Sequence, residues 1–395
     1  MAVSQLTFLA PQPGTSYQTR SGTFTADGFG FIGNVPLTGS AVADLVASGC
    51  IPCATSSSSN FRNILDGGDF TVNPWQRNIP GLASSNHLAA ALTATTPTYL
   101  ADRWFGSSTG STSLQMTQTA DVTIPGFSRS TFVSRSTGSG VSPLLFGQVV
   151  DPWDVIKLQG QQVTFSFWAR AGATFSAAGG LLSVSMPWGT DTYANSTAAN
   201  MIAGSWAGQA NIPLTPNVVA LTSSMTRYSF TGVVPYGALN LGVLLSFTPV
   251  GTASGATDGY YVSGLQLELG GLSPFEHRDI QVETEICQRY AWVIQEPAAG
   301  VIVGAGQCGT TTNATIYMAT PVQMATAPTV TCIYGSFAVL HVVTATACSA
   351  LAAIGTHSPN ALSISATVAS GLTAGQGAML QGGTGAGYIV ASADY

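Results

Sequence analysis

Charge is what this chain has least of. Charged residues make up 7% of its 395 positions, against roughly 25% in ordinary globular proteins, and Lys157 is the only lysine. With a formal net charge of −6, the chain has no basic field to hold nucleic acid or an anionic membrane. Scarce charge combined with scarce hydrophobicity would mean disorder, but 45% of the residues are hydrophobic, so the chain is able to fold. Cysteine is sparse too. The six cysteines, Cys50, Cys53, Cys287, Cys308, Cys332 and Cys348, are too few for a disulfide scaffold at this length. Cys50-Ile-Pro-Cys53 is a CxxC, but no second pair follows at zinc spacing and the four histidines are scattered, so neither metal nor cofactor is expected. The other four cysteines read as small apolar fillers in β structure.

Long apolar runs are also missing. The first ten residues carry no basic region and no long apolar core, so no secretory signal is expected there. The nearest approach to a membrane span, Phe337 to Ile354, contains His341, Thr344, Thr346 and Ser349 and is rich in β-branched residues. It reads as strand, turn, strand, and no membrane insertion is expected.

What is present is the pattern of an all-β protein. Gln162 to Arg170 alternates cleanly, with Val163, Phe165 and Phe167 on one face, and the same period recurs at Tyr228 and Phe230, from Leu241 to Phe247, and at Leu265, Leu267 and Leu269. Turn residues punctuate these runs at short intervals and long helical periodicity is absent. Residues 55–279 therefore read as a jelly-roll β-sandwich in one domain. Residues 1–54 form a short N-terminal arm, with a hairpin expected over Ser21 to Val35 and a two-turn helix over Ala41 to Ser48, capped by Ser40 and closed by Gly49. Ser56 to Ser59 reads as a linker.

Residues 280–395 form a helical joint and a small C-terminal β domain. Between Glu268 and Arg289 lie seven of the 28 charged residues, and after Glu296 only Asp394 remains. Helix is expected over Glu276 to Val293, with Val282, Ile286 and Tyr290 on one face and Asp279 as N-cap. A β domain so poor in charge either shares its surface with identical copies or is hydrated through hydroxyls and backbone. A homotrimer with a shared tail fits the first case.

The chemistry-bearing candidates are few. Gly304-Ala-Gly-Gln-Cys-Gly309 is a formal GxGxxG, but a β-branched run follows it and no acid occurs until Asp394, so these are turn glycines and no nucleotide site. Asp66 with Asp69, Asp151 with Asp154, and Asp191 are carboxylates of the kind that cleave polysaccharide. The two pairs sit beside turn formers, where Asp caps or bonds the backbone. Trp188 and Tyr193, in Pro187-Trp-Gly-Thr-Asp-Thr-Tyr193, are the candidate glycan-binding aromatics, the alternative being half-buried packing within a loop. Trp104 and Trp168 read as core. Asn195 and Asn313 begin glycosylation sequons, which carry no weight without a secretory route.

Four stretches carry a resemblance. They are Asp66-Gly-Gly-Asp-Phe-Thr-Val-Asn-Pro-Trp-Gln-Arg77, Tyr99-Leu-Ala-Asp-Arg-Trp-Phe105, Val163-Thr-Phe-Ser-Phe-Trp-Ala-Arg-Ala-Gly172, and Leu265-Gln-Leu-Glu-Leu-Gly270 through Pro274-Phe-Glu-His-Arg278 to Cys287-Gln-Arg-Tyr290. In this order the chain resembles bacteriophage virion fibre or spike proteins, tail or head fibres whose jelly-roll, carbohydrate-binding-module-like domain precedes a small β domain. The resemblance implies a non-enzymatic structural protein of a tailed-phage particle, usually trimeric, assembled in the host cytoplasm and resident in the virion. Residues 1–54 would attach it to tail, neck or capsid proteins, and the distal domains would face host surface polysaccharide. It implies structural roles for Trp75, Arg77, Asp102, Arg103 and Trp104 in locking loops, and for Glu276, Arg278 and Arg289 in fixing the joint. It carries over no catalytic residue. The absence of coiled-coil heptads argues for a compact spike or head fibre. A polysaccharide depolymerase on the same scaffold and a purely architectural capsid decoration protein are the alternatives.

Overall fold

A computed structural model describes residues 16–19, 22–25, 62–77, 97–110, 112, 114–135, 140–250, 257–385 and 387–394. The chain divides into two units, Met1–Arg62 and Asn63–Tyr395. In the first, β1 (Ser16–Thr19) pairs antiparallel with β2 (Gly22–Thr25), Ser16 opposite Thr25. Of the hairpin expected over Ser21 to Val35, only Gly22–Thr25 lies within the described residues. The helix expected over Ala41 to Ser48, Cys50, Cys53 and the serine run lie outside the described residues.

The second unit opens with an all-β sandwich of jelly-roll type. Its elements are β3 (Thr98–Ala101), β4 (Trp104–Ser108), β5 (Leu114–Ala120), β6 (Arg129–Arg135), β7 (Leu144–Val149), α1 (Pro152–Leu158), β8 (Gln162–Ala171), β9 (Leu181–Ser185), β10 (Pro187–Gly189), α2 (Ala198–Ala203), β11 (Ala210–Asn211), β12 (Val218–Ala220), β13 (Thr226–Val233), β14 (Asn240–Phe247) and β15 (Gly259–Leu269). One sheet runs β13-β8-β15-β6-β5. The other runs β11-β10-β14-β7-β4-β3, with β9 also on β14 and β12 on β9. Strand alternation explains the core between them. Val163, Phe165 and Phe167 point inward from β8, as the sequence predicts, and meet Leu241, Val243 and Leu245 of β14 in one cluster. Leu265 and Leu267 join them, whereas Leu269, at the end of β15, is exposed. Gly264 has φ 61° beside a register shift in β15, and a Cβ there would lie 2.8 Å from the Phe127 ring, so the bulge needs glycine.

Beyond the sandwich come α3 (Ile280–Gln288), β16 (Ala291–Gln295), β17 (Ile302–Cys308), β18 (Asn313–Ala319), β19 (Thr329–Ile333), β20 (Ala338–His341), β21 (Thr344–Ala353), β22 (Ala361–Val368), β23 (Gly377–Gln381) and β24 (Tyr388–Ser392). Six of these strands close a barrel in the order β17-β18-β22-β21-β20-β23, and β16-β24-β19 form a small sheet against it. The candidate membrane span is the hairpin β20–β21, and no described helix is long and apolar enough to cross a membrane. The GxGxxG stretch lies largely within β17, with no helix after it. Cys287, Cys308, Cys332 and Cys348 are free thiols, and all but Cys332 are buried.

The joint helix differs from its expected form. Asp279 caps it, accepting from the Gln281 N–H at 2.8 Å, but α3 stops at Gln288 and residues 291–293 are already strand. Its buried positions are Glu283 and Cys287, while Val282 and Ile286 are half-buried. The helix turns a carboxylate inward because Glu283 accepts the Gly67 N–H and meets Arg278 at 3.3 Å.

Candidate functional site

Two polar assemblies stand out, one buried at the joint and one on the surface. The joint begins where residues 63–70 lie along β15: the Ile64 N–H donates to Leu267 O at 2.8 Å and the Leu265 N–H to Gly68 O at 3.1 Å. Asn63 fastens the same contact, its Nδ2 donating to Leu265 O at 3.0 Å. Glu276 accepts the Asn63 N–H at 2.6 Å, and Arg278 donates to the Asn63 carbonyl. Arg278 also lies 3.6 Å from Asp66 and 4.0 Å from Glu276. Arg103 has φ 70° and is buried; its guanidinium meets Asp66 at 3.2 Å and Asp394 at 3.6 Å, and stacks 3.5 Å from the Tyr290 ring centroid. Arg77 pairs with Asp394 as well.

Arg77 and Arg103 thus reach Asp394 at the C-terminal end, while Asp102 bonds the Asn73–Gln76 turn and Trp75 and Trp104 lie in the sandwich core. Trp104 stacks on Phe146 at 5.0 Å, and Trp75 packs on Phe70. Burial raises Asp102 to about 6, opposed by Arg77 and by the Gln76 N–H that it accepts at 2.7 Å. Burial likewise raises Asp66, against the pull of Arg103 and Arg278.

Glu296 anchors the barrel in the same way. Its Oε1 accepts from Ser336 Oγ at 2.8 Å, Gly383 N at 2.8 Å and Gly385 N at 3.3 Å, and its Oε2 from Ser336 N at 3.0 Å and Gly387 N at 2.7 Å. Burial raises its pKa, but the donors of Ser336, Gly387 and Gly383 outweigh that and hold it below the ordinary glutamate value. The two acids that stand alone in the tail sequence are therefore internal ties.

The surface assembly gathers around Asp151. This residue N-caps α1, accepting the Trp153 N–H at 2.9 Å, and takes the Tyr290 hydroxyl at 2.6 Å. Arg289 lies 3.6 Å from the same carboxylate. Trp153 is 62% exposed, and its ring lies 6.0 Å from that of Tyr193 at an angle of 47°. Burial raises the pKa of Tyr193, the Asp151 charge adds to that, and Arg289 opposes it.

Tyr193 sits in a single 3₁₀ turn, Tyr193–Asn195, made rigid by Asp191, which accepts Thr192 N at 2.7 Å and Asn195 Nδ2 at 2.9 Å. These bonds hold Asp191 below the usual aspartate value. Trp206 closes the loop from beneath, its Nε1 donating to Asn195 O at 2.9 Å.

The two sequence-predicted glycan aromatics thus part company. Tyr193 joins the ledge with Trp153 and Arg289. Trp188 is a strand residue, opposite Ala210 and Leu241, and packs half-buried on the sandwich core, which is the packing alternative. Pro187 and Gly189 make the stretch look like a loop, but pairing with β14 overrides that local signal. Trp153 was missed because Asp151-Pro-Trp-Asp154 reads as turn acids. A tryptophan one position after a helix-initiating proline was the available signal, since that position faces outward from the cap.

The carboxylate pairs are engaged in structure. Asp69 accepts Thr71 N at 2.9 Å and lies 2.7 Å from His277 Nδ1, and Asp154 pairs with Lys157 at 2.6 Å. Among the described residues, no group of three or more His, Cys, Asp or Glu is arranged to hold a metal ion.

No family model matches the chain, and no curated protein matches it. Among solved structures, it is similar to the enzymatically active domain of tailspike protein 4 of bacteriophage CBA120, with 18% identity over 53% of this chain and 22% of that one, at a TM-score of 0.31. It is also similar to the CBM22-1–GH10 modules of Clostridium thermocellum endo-1,4-β-D-xylanase 10B, with 12% identity over 45% of this chain and 28% of that one, at a TM-score of 0.28. A third is the tandem CBM22-1–CBM22-2 domain of Paenibacillus barcinonensis Xyn10C, with 12% identity over 79% of this chain and all of that one, at a TM-score of 0.26. The chain thus spans less than a third of the length of the first two, and its likeness is to a phage tailspike domain and to CBM22 modules.

Proposed function

We propose that this protein is a structural component of a tailed-phage particle, a fibre or spike displayed for attachment to host surface glycan, and that it acts without catalysis. The observation that carries the reading is how its polar and aromatic groups are used. Asp66, Asp69, Asp151 and Asp154 are each engaged by a cation, a histidine or a capped backbone, whereas Trp153 lies beside Tyr193 with its ring toward solvent. That is an arrangement for holding a ligand rather than cleaving one. Residues 1–54 would dock on tail, neck or capsid proteins. The barrel's exposed side chains include Ile302, Tyr317, Val342 and Val343, on a surface with almost no charge to repel a second copy, which supports a homotrimer.

The test is incubation of the purified protein with host capsule. Binding without new reducing ends or unsaturated products is the expected result. Release of either would make it a depolymerase, and failure to bind host material at all would leave a purely architectural role.

A further inference from the structure

Trp153 is the most exposed tryptophan among the described residues, yet it is not loose. Its backbone N–H is committed to Asp151, and its ring lies 6.0 Å from that of Tyr193. With the residue 62% exposed, its ring turns an apolar face to solvent.

Beside this face is a source of donors. A guanidinium carries five N–H groups; Arg289 lies 3.6 Å from Asp151, and its side chain is still 40% exposed. Asp151 offers little in return, since its side chain is 9% exposed and both oxygens are already bonded, one to Trp153 N and the other to Tyr290. The ledge therefore presents an apolar ring face bordered by donors, with its cation offset by a carboxylate 3.6 Å away.

We propose that the Trp153–Tyr193–Arg289 ledge is a subsite for a neutral pyranose residue of a polysaccharide. The C–H face of the sugar stacks on Trp153, and its hydroxyl or ring oxygens accept from Arg289. This rests on the attachment reading given above and names the ligand class for it. A neutral sugar is favoured over an anionic one because Asp151 cancels the field of Arg289 at close range. A protein partner fits less well: two aromatic rings supply about 300–500 Å², short of the roughly 800 Å² per side of a stable interface.

The test is titration calorimetry of the full chain with three probes, a glucose-based, a galactose-based and a glucuronate-containing hexasaccharide. At least one neutral hexasaccharide should bind, with Trp153→Ala weakening it about tenfold or more, Trp153→Tyr restoring part of the loss, and Arg289→Gln weakening it several-fold. Trp153 should also become protected from acrylamide quenching. The proposal is overturned if none of the three probes binds wild type, if Trp153→Ala binds as tightly, or if the glucuronate probe binds better than both neutral ones. A wild type that ignores all three yet adsorbs to host cells removes the ledge assignment and leaves attachment standing. Loss of adsorption itself removes both.

Discussion

Replacing Glu296 with Gln is the sharpest perturbation of the barrel. The carboxylate collects five donors, three on Oε1 and two on Oε2. An amide has one acceptor oxygen and one donor nitrogen, so whichever way it turns, at least two N–H or O–H groups face an NH₂. Each lost hydrogen bond to a charged acceptor costs at least roughly 1.5 kcal/mol, which puts Glu296→Gln at about 3 kcal/mol or more. No space exists for rearrangement, since a Cβ on Gly335 or Gly387 would already collide with Oε2. Urea unfolding followed by circular dichroism reads the change. The pH dependence adds a second signature. Because the folded pKa is held below the ordinary glutamate value, the unfolded chain binds more protons near pH 4, so this stabilisation is complete above that range and disappears as pH falls through the folded pKa. The Gln variant should lack that acid-side loss. Equal stability of the two proteins at pH 7 would refute the reasoning.

Three further outcomes follow from the same contacts. Asp102 has the opposite sign: burial lifts its folded pKa from 3.8 to about 6, so it disfavours folding as pH rises from 4 toward 7, by about 3 kcal/mol at the plateau. Asp102→Asn should flatten that decline in urea midpoints measured from pH 4 to 7. Trp188→Ala should destabilise the sandwich by about 2 kcal/mol or more, while Trp153→Ala should stay within about 0.5 kcal/mol of wild type; thermal melts of the two compare them. Val342, 70% exposed at the tip of the β20–β21 hairpin, has φ 57°, which is costly for a β-branched residue. Val342→Gly should raise the melting temperature, reflecting about 1 kcal/mol of relieved strain.

How much of this was legible in the chain depends on what each element relies on. The face of β8 is visible because Val163, Phe165 and Phe167 alternate with smaller or polar residues, and a half-buried sheet imposes that period. The buried side of α3 is not visible in the same way. Its inward residues are Glu283 and Cys287, and a glutamate signals burial only once Gly67 and Arg278 are seen to face it. Glu296 and Asp394 stand out in the sequence as lone charges, but their partners are backbone amides and arginines brought near by the fold. The ledge shows the same limit. The sequence offers Tyr193 for sugar binding and Arg289 for the joint, while Trp153 lies between two turn acids; nothing local connects the three.

The proposed attachment to host surface glycan is read out by co-sedimentation of the purified full chain with host cells, intact or stripped of surface polysaccharide. The protein should pellet with intact cells and stay in the supernatant with stripped ones. Equal binding to both, or to neither, would contradict it.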